Sequence, residues 1–209
     1  MKQEVSMDVT NKLNLDYFNK MIEENFVFLN KGYYAFNEQK KWKIKCSKNK
    51  SSILEPHNCS QKVLAFLNEM LLNSKRFTCV KDYSKNEVNG QCYNVQILSD
   101  NYELSLSHSI CINISVIIPF FHVHVLELKR KTDNFHKWDG VPDRKIFLEK
   151  NTYRGEIRQI KDFLVSKLCL KDFPEELIYK LVPGIFTEDI SKEDFTYFNA
   201  FFQREYDTR

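Results

Sequence analysis

Glycine and proline are scarce here, five of each in 209 residues, so collagen-like repeats and long Gly/Pro-rich linkers are excluded. No GxGxxG and no Walker-type glycine loop occurs, which argues against the common dinucleotide and P-loop phosphate sites. No stretch reaches about 18 uninterrupted apolar residues, the length a membrane-crossing helix needs. The start, MKQEVSMDVTNKLNLDYF, lacks the basic, apolar and small-residue regions of a signal peptide. These absences predict a soluble, cytoplasmic protein with no membrane partner. Six cysteines, Cys46, Cys59, Cys79, Cys92, Cys111 and Cys169, form no CxxC pair. They are expected as reduced, mostly buried thiols, with no zinc knuckle and no disulfide. Charge of one sign is lacking too: 31 Lys and Arg stand against 28 Asp and Glu, a net +3. That balance is too small for nucleic-acid binding by bulk electrostatics, and only a local basic patch would argue for it.

Aromatic residues are what the chain has in quantity, with 17 Phe and 10 Tyr, and its length suffices to bury roughly 70% of the unfolded surface. An aromatic-rich core is expected. Residues 1–12 are polar and expected to be loose, and 13–209 form one domain. Leu15, Phe18, Ile22, Phe26 and Leu29 have helical spacing from about Asn14 onward. GYYAFNEQKKWKIKCS suggests a hairpin with a basic outer face. Val63, Leu67, Met70 and Leu71 mark a helix over Ser60 to Lys75. Strands are predicted at Phe77 to Tyr83, at Cys92 to Ser99, from Tyr102 to Ile112, and along Asn113 to Lys131, the last bent or split at Pro119. Residues 132–145 suggest a loop. Thr152 is placed to cap a helix carrying Ile157, Ile160, Leu164 and Leu168, and FPEELIYKLV starts another. The tail DFTYFNAFFQREY fits helix or strand. Helices and antiparallel strands in this order, without a strand-helix-strand repeat, predict an α+β fold with a central, mostly antiparallel sheet.

Candidate chemistry concentrates in PFFHVHVLELKRK. His122 and His124 share a strand face and make half a metal site, but no third ligand follows in an HxHxDH or HxHxxxE pattern, so no metal or other cofactor is expected. On the opposite face Glu127 and Lys129 form an acid-x-Lys triplet. It resembles the second half of the PD-(D/E)xK nuclease arrangement, in which the acid holds a divalent ion and the lysine positions or activates water. The resemblance implies Asp100 or Glu103, and Glu69 on the preceding helix, as further site acids. The pattern departs in order: Pro142-Asp143, the one Pro-Asp of the chain, follows the triplet instead of preceding it. Ser107-His108-Ser109 cannot act as a nucleophile and base pair on a strand, because neighbours face opposite ways.

Basic stretches around Trp42, KKWKIKCSKNK, suggest a nucleic-acid surface as a further reading. Tyr33, Tyr34, Trp42, Phe120 and Phe121 are candidate contacts of a recognition surface, since Tyr, Trp and Phe dominate binding hot spots. With no complete catalytic signature, the expected mode is binding of a protein partner. In general character, though by no motif, the chain is similar to immunity proteins that occlude a partner toxin.

Overall fold

The computed structural model describes residues 15–24, 59–83, 92–101, 106–130, 138–140, 153–183 and 195–202. In chain order these are helix α1 (15–24), α2 (Cys59–Asn73), strands β1 (Cys79–Asp82), β2 (Cys92–Asn101), β3 (Leu106–Ser115), β4 (Phe120–Arg130) and β5 (Trp138–Gly140), helix α3 (Arg154–Leu168), β6 (Lys171–Asp172), and short helices α4 (Glu175–Ile178) and α5 (Tyr197–Phe201). The fold is α+β, as the element pattern predicts. The expected loose N-terminus and basic hairpin, with Tyr33, Tyr34 and Trp42, lie outside the described residues.

β1 to β5 pair antiparallel in sequence order, and β6 adds a parallel pairing to the start of β4. Side chains alternate across a strand, so register decides which residues share a face. On one face Tyr93, Val95 and Ile97 line up with Ile110, Ile112 and Ile114 and with Phe121, Val123 and Val125. This β-branched and aromatic layer is buried under Val63 and Leu67 of α2 and Ile160 and Leu164 of α3. Its packing is the main driving force for the sheet, at about 1.5–3 kcal/mol per fully buried large apolar side chain. α2 and α3 run antiparallel. The rings of Phe66 and Phe163 stack between them, with centroids 4.2 Å apart, and Arg76 beyond the end of α2 pairs with Glu156 in the first turn of α3 at 3.2 Å. An ion pair this exposed contributes little beyond fixing direction.

The strand-like run is split at Pro119, one of the two expected outcomes: β3 ends at Ser115, β4 starts at Phe120, and Pro119 closes the four-residue connection between them. There the Ser115 hydroxyl accepts from the backbone N–H groups of Ile117 and Ile118, at 3.1 and 3.3 Å. A serine at the strand end thus supplies the acceptor that the turn needs. The loop expected at 132–145 contains β5, whose Trp138, Asp139 and Gly140 pair with Arg130, Lys129 and Leu128. Pairing with β4 overrides a turn-rich local sequence. Tyr153, not Thr152, occupies the N-cap of α3 and makes no side-chain cap bond; its ring is instead buried in the core.

The ambiguous tail is helical over α5. Thr196 and Asn199 form a reciprocal cap: the Thr196 hydroxyl accepts from the Asn199 backbone N–H at 3.2 Å, and the Asn199 side-chain Oδ1 accepts from the Thr196 backbone N–H at 2.9 Å. Phe198, Phe201 and Phe202 are buried, and Phe18 of α1 packs within 6 Å, ring centroid to centroid, of Phe120, Phe173 and Phe201. The Tyr197 hydroxyl donates to Asn19, joining the two ends of the described chain. Among the described residues no helix is long and apolar enough to cross a membrane, and the five described cysteines are free thiols.

Candidate functional site

The second face of the sheet is polar, and it is buried. Asn94 and Gln96 of β2, Ser109, Cys111 and Asn113 of β3, and His122 and His124 of β4 occupy alternate positions on three adjacent strands. In register, Asn94, Asn113 and His122 form one row, and Gln96, Cys111 and His124 the next. His122 is 7% exposed and His124 6%. Part of the cover is α5: Phe198 stands edge-on to His122 and to His124, at 5.2 and 6.3 Å between ring centroids. The two imidazoles stack, 5.2 Å apart and 25° from parallel.

Buried polar groups cost several kcal/mol unless they are hydrogen-bonded, and these satisfy one another. The Ser109 hydroxyl donates to Gln96 Oε1 at 2.9 Å, and Gln96 Nε2 donates to Asn94 Oδ1 at 3.3 Å. Asn94 Nδ2 donates to Asn113 Oδ1 at 2.5 Å, and Asn113 Nδ2 meets His124 Nδ1 at 3.4 Å. The Cys92 thiol also points at Asn113 Oδ1, 3.7 Å away. A continuous chain therefore crosses from β2 through β3 to β4.

Several side chains able to act as nucleophile or base, Cys59, Cys111, Ser109 and His124, are bound into the interior. Burial pushes the Cys111 thiol up to about 12, only partly opposed by its contact with Ser109. Burial likewise pushes Cys59 up to about 11, against the pull of Lys62. Neither thiol is ionised near neutral pH, so neither is poised for attack. His108 and Ser109 face opposite ways as predicted: the His108 Nδ1 lies 3.1 Å from the Tyr153 hydroxyl on the helix-covered side, and Ser109 belongs to the polar face.

Glu127 and Lys129 lie in β4, where position 127 pairs with His108 and position 129 pairs with Leu106 on one side and Asp139 on the other. Asp100 ends up at the same end of the sheet, but in the row of Ser107 and Leu128, which alternates with the rows of positions 127 and 129. Glu69 is exposed on α2, a helix that packs on the sheet through Val63, Leu67 and Met70. Glu103, His57, His136 and the Pro142-Asp143 pair lie outside the described residues. No group of three or more His, Cys, Asp or Glu among the described residues is arranged to hold a metal ion. Phe121 is wholly buried and Phe120 packs half-buried against Tyr17, Phe18 and Phe173. This pair, expected as candidate recognition residues, is part of the core, because β4 turns Phe121 under the helices and β6 brings Phe173 over Phe120.

No family model, curated protein or solved structure matches this chain. The site must therefore be judged on its own geometry. The polar face was not selected from the sequence, although a signal existed: polar residues at every second position on three consecutive strands, Asn94-Gln96, Ser109-Cys111-Asn113 and His122-His124.

Proposed function

We propose that the protein acts by binding another protein, and that the polar sheet face serves this role by holding a rigid scaffold instead of by doing chemistry. The observation that supports this reading is the fate of the chemically able side chains. Ser109 and His124 make hydrogen-bond contacts with interior neighbours, and burial keeps the Cys59 and Cys111 thiols protonated. What the described surface offers outward is contact area: Leu72 on α2 is 86% exposed, and Val165, Tyr179 and Leu181 are each about half exposed. A tyrosine such as Tyr179 provides affinity when a partner excludes water from it, and the exposed Leu72, Val165 and Leu181 add apolar contact area around it. In its most specific form the partner is a toxin whose active surface is covered, as with immunity proteins.

Isolation of the tagged full-length chain from its native cells tests this. The expected result is one protein recovered in stoichiometric amount, whose gene neighbours that of this chain if the immunity form holds. Leu72→Glu and Tyr179→Ala should leave the fold intact, within about 0.5 kcal/mol of the parent stability, because neither side chain fills the core. Loss of the partner in one of these variants would map the contact. Consistent recovery of no protein partner would overturn the reading.

A further inference from the structure

α1 is held by one side. Phe18 and Ile22, about one helical turn apart, are buried, while Asp16, Lys20, Glu23 and Glu24 are exposed. Phe18 fills an aromatic seat made by Phe120 at the start of β4, Phe173 just after β6 and Phe201 of α5, with ring centroids 5.1, 5.3 and 5.7 Å away. The next residue, Asn19, accepts from the Tyr197 hydroxyl through its side-chain oxygen.

The walls of this seat are tied to one another by contacts that α1 does not make. The Lys171 N–H donates to the Pro119 carbonyl at 3.0 Å and the Phe173 N–H to the Phe121 carbonyl at 2.8 Å, which fixes β6 on β4. α5 is fixed by its own cap, and the Tyr197 and Val182 N–H groups donate to the Lys180 and Phe195 carbonyls at 3.0 and 2.8 Å. The Phe173 ring meets those of Phe120, Phe201 and Phe202, with centroids 6.4, 6.2 and 5.1 Å away. α1, by contrast, spans 15–24, and helices shorter than about 12–15 residues are marginal in water without packing. The seat is pre-formed, and α1 takes its shape by occupying it.

We propose that this seat is a helix-binding groove with α1 as its built-in occupant, which an amphipathic helix of a partner protein displaces. That helix carries an aromatic side chain, a side-chain amide at the next position and an aliphatic side chain four residues after the aromatic, as Phe18, Asn19 and Ile22 do. Anchors at i and i+4 are how a helix lays one face into a groove. A tethered α1 acts at an effective concentration on the order of millimolar, so the identical helix of a second copy gains nothing over it. Only a helix with better anchors wins, and α1 leaves room for one, because Tyr17 beside Phe120 is still 38% exposed. The groove stands whether or not Leu72 and Tyr179 form the contact proposed above.

A labelled synthetic peptide of residues 13–26, titrated into the full chain carrying Phe18→Ala and Ile22→Ala, tests this, because the chain's own α1 then no longer competes. Saturable one-to-one binding is expected, at least tenfold weaker to the parent chain and at least tenfold weaker for a peptide that itself carries Phe18→Ala. Equal binding to the parent and substituted chains, or binding to neither, would overturn the proposal. Loss of amide protection in β2, β3 and β4 of the substituted chain would overturn it too, since the seat would then not stand without α1. In the parent, amides of residues 19–24 should exchange at least tenfold faster than those of β3, by local opening; equal protection would contradict a displaceable α1. A parent chain that sediments as a dimer, and becomes a monomer on Phe18→Ala, would make a second copy the occupant and so overturn the assignment to a partner's helix.

Discussion

Asn113 is the residue on which most of the buried network depends, because it accepts from β2 and donates to β4 at once. Asn113→Ala would remove the acceptor of the Asn94 amide and the group facing His124 Nδ1 in a buried layer. The expected cost is about 2–4 kcal/mol, since each orphaned buried group costs about 1–3 kcal/mol. Urea unfolding at pH 7.5 measures it. A loss below about 1 kcal/mol would mean the network is not dry. Cys169 makes the opposite case. It closes α3 in the left-handed region at φ 54°, the one described non-glycine residue with positive φ, and its N–H bonds back to the Leu164 carbonyl. Glycine adopts this conformation without the Cβ clash. Cys169→Gly should raise stability by about 0.5–1 kcal/mol, read as a higher urea midpoint with unchanged slope. The thiol is exposed and outside the core cluster of the described residues, so its loss does not cancel the gain.

At the scale of elements, what was legible in the sequence was periodicity. The three-four spacing of Val63, Leu67 and Met70, and of Ile160 and Leu164, placed α2 and α3 to within a residue or two. Alternation placed β2 and β3, and it correctly divided β4 into a histidine face and a Val123-Val125 face. Alternation cannot say whether a polar face meets water or protein; here Phe198 packs against both imidazoles and contributes to their burial. β5 and β6 were missed because two or three residues carry no period and exist only through pairing with β4. The tail was undecided because Phe195, Phe198 and Phe202 suit either geometry, and the deciding signal lay in Thr196 and Asn199. If that reciprocal cap specifies α5, Thr196→Ala should cost about 1–2 kcal/mol and expose Phe198 and Phe202 first. Exchange rates over 195–202 that rise before those of β3 would show it; uniform loss across the molecule would contradict it.

At the scale of the whole molecule, the described centre of β2, β3 and β4 is buried on both faces in different ways. One face binds two helices through Ile, Val and Tyr; the other binds α5 through aromatic edges and satisfies its polar side chains internally. A slip of one residue between β2, β3 and β4 would turn Asn94, Asn113 and His124 against α2 and α3, so the two faces together fix the register. The acid-x-Lys triplet at Glu127 and Lys129 gives the rival account a concrete form, and one experiment separates the two. The stoichiometric partner recovered from native cells, once purified, is titrated calorimetrically into this protein with and without a metal chelator. Binding by a partner-recognition protein predicts one-to-one complex formation at micromolar affinity or tighter, unchanged by the chelator. The absence of any such complex, together with magnesium-dependent nucleic-acid cleavage that Lys129→Ala abolishes, would contradict it.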